Sequence, residues 1–264
     1  MGVEHRYIEV NGLRLHAVDF GGSGPPIVCL HAATSHAWMW RAVAGALEGH
    51  RRILAVDLRG HGDSQWSDHE AYETEDLARD LVGAIETSPE PVDVVGASWG
   101  GLIALRASIL APQLMNRLVL VDVPPSFSSG TGDIRAEPAE FKDHAAVVAW
   151  ERQANPLASE ATVETLAALG TRPGSQGRLV RKYDPYFGWR WPFRADDHWA
   201  ALAATTVPTL LVRGENSAVL STEVFDKMAA ANLQARRVLV AGSGHLVPID
   251  NPAGMAQVLL EFLT

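Results

Sequence analysis

The sequence predicts an α/β protein built on a mostly parallel sheet flanked by helices. Short, continuous apolar runs rich in β-branched residues recur along the chain, as expected for strands buried on both faces of a parallel sheet. Helix-like segments separate most of these runs, and this alternation is typical of a doubly wound fold. With 264 residues and 47% hydrophobic content, the chain can bury one sizeable core with an inserted cap.

The predicted strands begin with a hairpin. Residues 7–10 and 13–18 flank an Asn11-Gly12 turn, and apolar and polar residues alternate along the second arm. The predominantly apolar runs that follow are 27–30, 53–56, 92–95, 118–121, 209–212 and 237–240. A small, helix-compatible segment at 102–110 comes directly after the run at 92–95 and its turn.

The regular alternation fails once, between about residues 123 and 204. Helix-like pieces at 140–153 and 159–169 precede a turn-rich aromatic run at 183–193. We therefore assign residues 124–204 to an inserted helical cap, and residues 1–123 and 205–264 to the core domain. Ligand sites are mostly apolar, so we expect this aromatic run to line a cleft. The predicted substrate-binding residues are Tyr186, Phe187, Trp189 and Trp191.

Composition and charge argue against several classes of partner. The net charge is −9 and no run of Lys or Arg suggests a polyanion, so we expect no nucleic acid. The first residues lack the apolar core of a signal peptide, and no window has the apolar length of a membrane span. We expect a cytoplasmic monomer or homodimer that does not bind membranes. Its single cysteine, Cys29, forms no internal disulfide.

A G-x-S-x-G motif lies between the apolar run at 92–95 and the helix-like segment that follows. Gly96 and Gly100 are the small residues that a sharp turn from strand to helix needs. Ser98 is then at the apex, close to helix N–H groups that favour developing negative charge. This position predicts a nucleophile.

A serine nucleophile needs a base within hydrogen-bond reach, and the chain has ten histidines. His245 has the best context, because it follows the last predicted strand in a Gly-Ser-Gly-His loop. Catalytic groups gather at the carboxyl edge of open α/β sheets, where Ser98 is also expected. His31 and His61 lie in turns after strands, where we expect structural support.

Four motifs in order resemble the α/β-hydrolase superfamily, and the resemblance covers nearly the whole chain. They are Leu30-His31-Ala32-Ala33, Asp57-Leu58-Arg59-Gly60-His61-Gly62-Asp63-Ser64, Gly96-Ala97-Ser98-Trp99-Gly100-Gly101 and Gly244-His245. The resemblance implies an eight-stranded, mostly parallel sheet with a helical cap after the sixth strand. It also implies a catalytic triad in the chain order serine, acid, histidine.

The triad acid departs from the commonest pattern of the superfamily. Many members carry it in a G-x-x-D segment after the seventh strand, but here Ser217 stands where the aspartate would fall. Asp122, which ends the sixth strand, is our first choice, because haloalkane dehalogenases and some lactonases place their acid there. Glu215 is the alternative, whereas Asp250 precedes Asn-Pro and is typical of a helix start.

The oxyanion donors are expected from the backbone. The nucleophile-elbow pattern predicts the N–H of Trp99 as one donor, and Ala33 or Ala32 as the other. No cluster has metal-ligand spacing and no G-x-G-x-x-G follows a strand, so we expect no metal and no cofactor.

These residues predict a serine hydrolase that cleaves an ester or lactone of a bulky apolar or aromatic small molecule. Members of the same superfamily use this constellation for acyl transfer, carbon–carbon bond hydrolysis or perhydrolysis, and fold does not choose between these reactions. Some members are small-molecule receptors with little turnover. The sequence leaves these alternatives open.

Overall fold

The computed structural model describes residues 2–47, 49–127 and 137–263. Its strands are β1 (Glu4–Val10), β2 (Leu13–Gly21), β3 (Pro26–Leu30), β4 (Arg52–Val56), β5 (Val92–Ala97), β6 (Met115–Val121), β7 (Glu140–Phe141), β8 (Thr171–Pro173), β9 (Leu179–Arg181), β10 (Thr209–Gly214) and β11 (Arg236–Val240). Its α-helices are α1 (Arg41–Ala46), α2 (Thr74–Glu86), α3 (Trp99–Leu110), α4 (His144–Ala154), α5 (Glu160–Leu169), α6 (Trp199–Ala204), α7 (Thr222–Ala231), α8 (Val247–Asp250) and α9 (Pro252–Phe262).

An eight-stranded sheet forms the centre of the molecule, in the order β1-β2-β4-β3-β5-β6-β10-β11. The hairpin strands pair antiparallel with each other, β2 also pairs antiparallel with β4, and the other neighbours are parallel. The predicted fold class is therefore confirmed. Each predicted strand position lies inside one of these strands, although β1 and β2 extend beyond the predicted limits.

Helices cover both faces of this sheet. Successive side chains of a strand point to opposite sides, so the apolar residues on each face need a layer of helices to bury them. On β5, Val94 belongs to a buried cluster with Leu81 of α2 and Leu102 of α3. The next residue, Val95, belongs to a second buried cluster that includes Leu259 of α9. Burial on both faces explains why the central parallel strands are mostly apolar.

The segment between β6 and β10 contains the predicted insertion. It holds α4, α5, α6 and a three-stranded antiparallel sheet in the order β7-β9-β8. The sequence pattern did not predict this small sheet, because strands of two or three residues are too short to show a hydrophobic period. The limits 124 and 204 of the cap domain stay a prediction.

The first predicted cap helix begins later than expected. Glu140 and Phe141 pair with β9, and α4 starts only at His144. Asp143 accounts for this start, because its carboxylate accepts the N–H of Ala146 at 2.9 Å as a helix N-cap. The predicted helix 140–153 was therefore wrong over its first turn. Within the described ranges, no helix combines the length and apolarity needed to cross a bilayer.

Candidate active site

Ser98 occupies a sharp turn between β5 and α3. Its backbone has φ of +51°, a left-handed value that few serines adopt. The turn is close because a Cβ on Gly96 would lie 2.2 Å from the carbonyl oxygen of Gly100. A Cβ on Gly100 would likewise lie 2.6 Å from the carbonyl oxygen of His31. Only glycine fits at these two positions, which explains the spacing of the motif around Ser98.

His245 bridges the other two predicted triad residues. Its Nε2 lies 3.0 Å from Ser98 Oγ, and its Nδ1 lies 2.9 Å from Asp122 Oδ1. The register of the sheet explains part of this geometry, since Ala97 and Val121 pair as the last residues of β5 and β6, and Ser98 and Asp122 directly follow them. The structure thus brings Ser98, His245 and Asp122 together, and their catalytic roles stay predictions.

Asp122 is fully buried and its carboxylate is held by neighbours other than the histidine. Oδ2 accepts the N–H of Gly214 at 2.8 Å, and Oδ1 also accepts the hydroxyl of Ser217 at 2.6 Å. Hydrogen bonds to a carboxylate stabilise its ionised form. Ser217, the residue found where an aspartate was expected, therefore contacts the acid on the neighbouring strand. The sequence reasoning assigned no such role to it.

The two other carboxylates considered for the triad have different partners. Glu215 Oε2 accepts the N–H of Gly242 at 2.9 Å, a contact that joins the loops after β10 and β11. Asp250 Oδ2 accepts the N–H of Gly244 at 2.9 Å, and burial raises the pKa of this carboxyl. Both groups hold the backbone of the loop that carries His245. Neither is the carboxylate that bonds to its ring.

A buried histidine fixes the loop after β3. His31 Nε2 accepts the N–H of Leu58 at 3.0 Å, so the ring proton lies on Nδ1, which donates to the Ala32 carbonyl at 2.7 Å. This arrangement needs a neutral ring. Burial lowers the pKa of His31 to about 4, which keeps the imidazole neutral near pH 7.

A second buried histidine holds the same loop from the other side. His61 Nε2 accepts the N–H of Thr34 at 3.2 Å, and its Nδ1 donates to the Arg59 carbonyl at 3.0 Å. Burial lowers the pKa of His61 to about 3. Thr34 has φ of +57°, so these contacts hold a strained residue beside the predicted oxyanion donors.

The predicted oxyanion donors lie around Ser98. Trp99 is the first residue of α3, and its backbone N–H is one of those that a helix start leaves without an intrahelical partner. Ala32 and Ala33 line the same cavity as Ser98. The loop after β3 and the start of α3 therefore both lie near the serine, and the donor role of these residues stays a prediction.

A cavity of about 410 Å³ opens over Ser98 and His245. It is within the size range of small-molecule sites in proteins. The apolar part of its wall includes Phe127, Trp150, Leu166, Trp191, Phe193 and Ile249. Residues of the insertion and loops of the core therefore enclose one space with the serine in its wall.

The predicted aromatic substrate contacts divide between two environments. Trp191 lines the cavity together with Phe193, which the prediction did not name. Trp189, by contrast, is 67% exposed and lies outside the cavity wall. The aromatic run turns through two short 3₁₀ helices, so neighbouring rings point in different directions. One prediction made for the whole run could not distinguish the rings that line the cavity from those that lie outside it.

Tyr186 and Phe187 are buried between the insertion and the core. The ring centroid of Phe187 lies 4.4 Å from that of His61, and the centroid of Tyr186 lies 5.0 Å from that of Tyr72. Neither residue lines the cavity. Both rings pack where the insertion meets the core, and their predicted substrate contacts stay a prediction.

The comparison with protein families decides the identity of this fold and site. The model of the "Alpha/beta hydrolase family" matches residues 27–258. The chain belongs to the alpha/beta hydrolase family. This hydrolase carries the elbow serine, the histidine after β11 and the strand-six aspartate inside the matched region.

Known relatives of this hydrolase act on different substrates. An esterase of Mycobacterium tuberculosis is 30% identical over 93% of this chain and 85% of its own length. The crystal structure of E-2-(acetamidomethylene)succinate hydrolase has a TM-score of 0.90 at 25% identity, covering 99% of both chains. A thioesterase domain from the curacin biosynthetic pathway has a TM-score of 0.87 at 26% identity, covering 99% of this chain and 100% of its own.

One part of the cavity wall of this hydrolase is polar and was missed by the sequence reasoning. Arg181, at the end of β9, is 7% exposed and its Nη1 donates to Glu151 Oε1 at 2.5 Å. Glu137 and His36 line the same wall. These residues come from separate segments, so no spacing motif could have indicated the cluster. The apolar neighbours Leu179 and Val180 were the one local sign that Arg181 is buried.

Within the described part of the chain, His16, Asp57 and Asp63 are the group whose ligand-type atoms lie within 4.8 Å of one another. Protein contacts account for their arrangement. Asp57 Oδ2 accepts from His16 Nδ1 at 2.7 Å and from the N–H of Asp63 at 3.0 Å. Asp63 in turn binds Lys182 through both carboxylate oxygens. We assign the group to stabilisation of the loop after β4 and its attachment to β2.

Proposed function

We infer that this hydrolase cleaves carboxylic esters or lactones through a triad of Ser98, His245 and Asp122. The proposal rests on one observation, the position of His245 within 3.0 Å of Ser98 Oγ and 2.9 Å of Asp122 Oδ1. These are the contacts that a general base needs toward its nucleophile and toward its orienting acid. The relationship to an esterase supports the choice of ester substrates.

The proposed mechanism proceeds through an acyl-enzyme. His245 Nε2 takes the Ser98 proton while Oγ attacks the carbonyl carbon. The tetrahedral oxyanion then accepts hydrogen bonds from the backbone N–H groups of Trp99 and of Ala33 or Ala32. The imidazolium, stabilised by Asp122, then protonates the leaving alkoxide. Water, activated by the same imidazole, attacks the acyl carbon and releases the acid.

The cavity supports a bulky substrate with an apolar or aromatic portion. Its volume of about 410 Å³ accommodates a small molecule, and its wall presents the rings of Trp150, Trp191 and Phe193. Aromatic side chains of this kind contribute large apolar contact areas to binding.

Covalent labelling tests the nucleophile directly. A fluorophosphonate probe, which reacts with activated serines, should label the wild-type protein and should fail to label Ser98→Ala. The same variant should lose at least ~10³-fold in kcat/KM on 4-nitrophenyl butyrate, since the covalent step loses its attacking atom.

Ser175→Ala is the matched control, because Ser175 is exposed and outside the cavity wall. This control should keep both the label and the turnover. Equal labelling of wild type and Ser98→Ala would overturn the nucleophile assignment. Labelling of Ser98 without hydrolysis of any aryl ester or lactone would contradict the ester proposal.

A further inference from the structure

Both cations in the described cavity wall already have carboxylate partners. Arg181 Nη1 donates to Glu151 at 2.5 Å, and Lys182 Nζ donates to Asp63 at 2.7 and 2.9 Å. A substrate carboxylate entering this space would therefore meet no uncompensated positive charge. It would have to displace a protein carboxylate from its cation, and it would lose its own hydration on entering the cavity.

The polar wall also contains an additional acid. Glu137 Oε1 accepts the Thr34 hydroxyl at 2.8 Å, and Oε2 lies 3.3 Å from the Tyr183 hydroxyl. Arg181 Nε is 3.4 Å from the same Oε2. Two glutamates therefore face one guanidinium, and burial raises the pKa of Glu137. Whether Glu137 is ionised or neutral, the cluster carries no net positive charge.

Two polar atoms of residues in this wall lack hydrogen-bond partners and lie just behind the cavity surface, each with almost no accessible area. They are His36 Nδ1 and Arg181 Nε, the latter being poorly aligned with the nearby Glu137 oxygen. His36 is 6% exposed, and burial lowers the pKa of its ring, so it is neutral. A buried polar atom left unpaired is costly, so a side-chain rotation that lets a ligand group pair with it gains affinity.

We propose that the wall formed by His36, Glu137, Glu151 and Arg181 is a subsite for an uncharged hydrogen-bonding group of the substrate, such as a carboxamide or hydroxyl. A carboxamide both donates and accepts, as the neutral imidazole and the guanidinium–carboxylate pairs require. A carboxylate only accepts, and it would be repelled by the glutamates. The inference deepens the proposed function and rests on it for the identity of the reacting bond.

Three matched esters test this selectivity. They are the 4-nitrophenyl esters of heptanoic acid, of adipic acid monoamide and of adipic acid, which differ in a terminal methyl, carboxamide or carboxylate. The wild type should hydrolyse the amide ester with at least a tenfold higher kcat/KM than the carboxylate ester. The methyl ester measures the hydrolytic reaction itself, independently of the subsite.

Charge-removing variants connect the selectivity to the named residues. Glu151→Gln leaves Arg181 without its closest carboxylate, so the amide-to-carboxylate ratio should fall at least fivefold. Glu137→Gln removes the additional acid and should lower the ratio at least threefold. The matched control is Glu86→Gln, an exposed glutamate at the end of α2, which should leave the ratio unchanged. Because the ratio is internal to each enzyme, partial misfolding does not imitate the effect.

Binding to the Ser98→Ala variant separates failure of the subsite from failure of the reaction. Calorimetric titration with the same esters should give a dissociation constant at least tenfold lower for the amide than for the carboxylate. This order in binding supports the subsite even if the methyl ester is not hydrolysed by the wild type. Equal or tighter binding of the carboxylate, or a ratio that Glu151→Gln and Glu137→Gln leave unchanged, overturns the proposal.

Discussion

Replacing Asp122 with Asn should lower kcat on an aryl ester by about 10³- to 10⁴-fold, as expected when an amide replaces the triad acid and favours the wrong imidazole tautomer. The Asp122 side chain is fully buried and bonds to His245 Nδ1 at 2.9 Å. Steady-state kinetics with 4-nitrophenyl butyrate measure the change. Far-ultraviolet circular dichroism checks that the variant remains folded.

The control for this experiment is Glu215→Gln, in the loop after β10, because Glu215 is the alternative candidate for the acid. Glu215 accepts the N–H of Gly242, a contact that a glutamine oxygen can keep, so turnover should stay within about threefold of wild type. A large loss in Glu215→Gln, with Asp122→Asn nearly as active as wild type, would reverse the assignment of the acid. A second variant, Ser217→Ala, removes a hydroxyl that donates to Asp122 at 2.6 Å and should lower kcat to an intermediate level.

Acidification from pH 7 to pH 5 should destabilise the fold by several kcal/mol through its buried neutral histidines. Burial lowers the pKa of His31 from 6.5 to about 4, and that of His61 from 6.5 to about 3. Between these values the unfolded chain binds more protons than the folded one, so the free energy of unfolding decreases as pH falls. Each ring contributes about 2 kcal/mol of this loss at pH 5.

Urea unfolding at a series of pH values measures this dependence. Burial raises the pKa of Glu137 and Asp250, and these carboxyls act in the opposite direction, so the comparison with a variant is needed. His61→Gln keeps a donor and an acceptor but cannot titrate, and its stability should vary less steeply between pH 7 and pH 5. The exposed His69→Gln should retain the wild-type slope. Parallel curves for wild type and His61→Gln would show that this ring does not titrate on unfolding.

Sequence patterns predicted the central sheet well because burial on both faces leaves a strong local signal. Three of the four residues from Val92 to Val95 are valine for that reason. Gly96 is required by its contact with Gly100 within the turn, and Gly100 by its contact with the carbonyl oxygen of His31. The position of His245 after the last strand followed from the rule that parallel strands end at one edge. For the same reason the structure brings Ser98 and Asp122 close together.

Contacts between distant segments could not be predicted in this way. Arg181 meets Glu151 across 30 positions, and Ser217 meets Asp122 across 95. The short strand at Glu140 has no periodicity of its own and depends on pairing with β9. Phe187 and Trp191 both belong to the aromatic run, but Phe187 packs on His61 whereas Trp191 lines the cavity. Only the tertiary fold decides between these two environments.

Because the proposed triad acid directly follows β6, the loop after β10 carries none of the three proposed triad residues. Two of the three proposed triad groups are anchored to neighbouring strands, whereas Ala218 and Val219 of that loop face the cavity. Mutational libraries at these two positions can therefore change the shape of the cavity without altering a proposed catalytic group. The loop offers a natural starting point for changing the substrate range by directed evolution while keeping the turnover machinery intact.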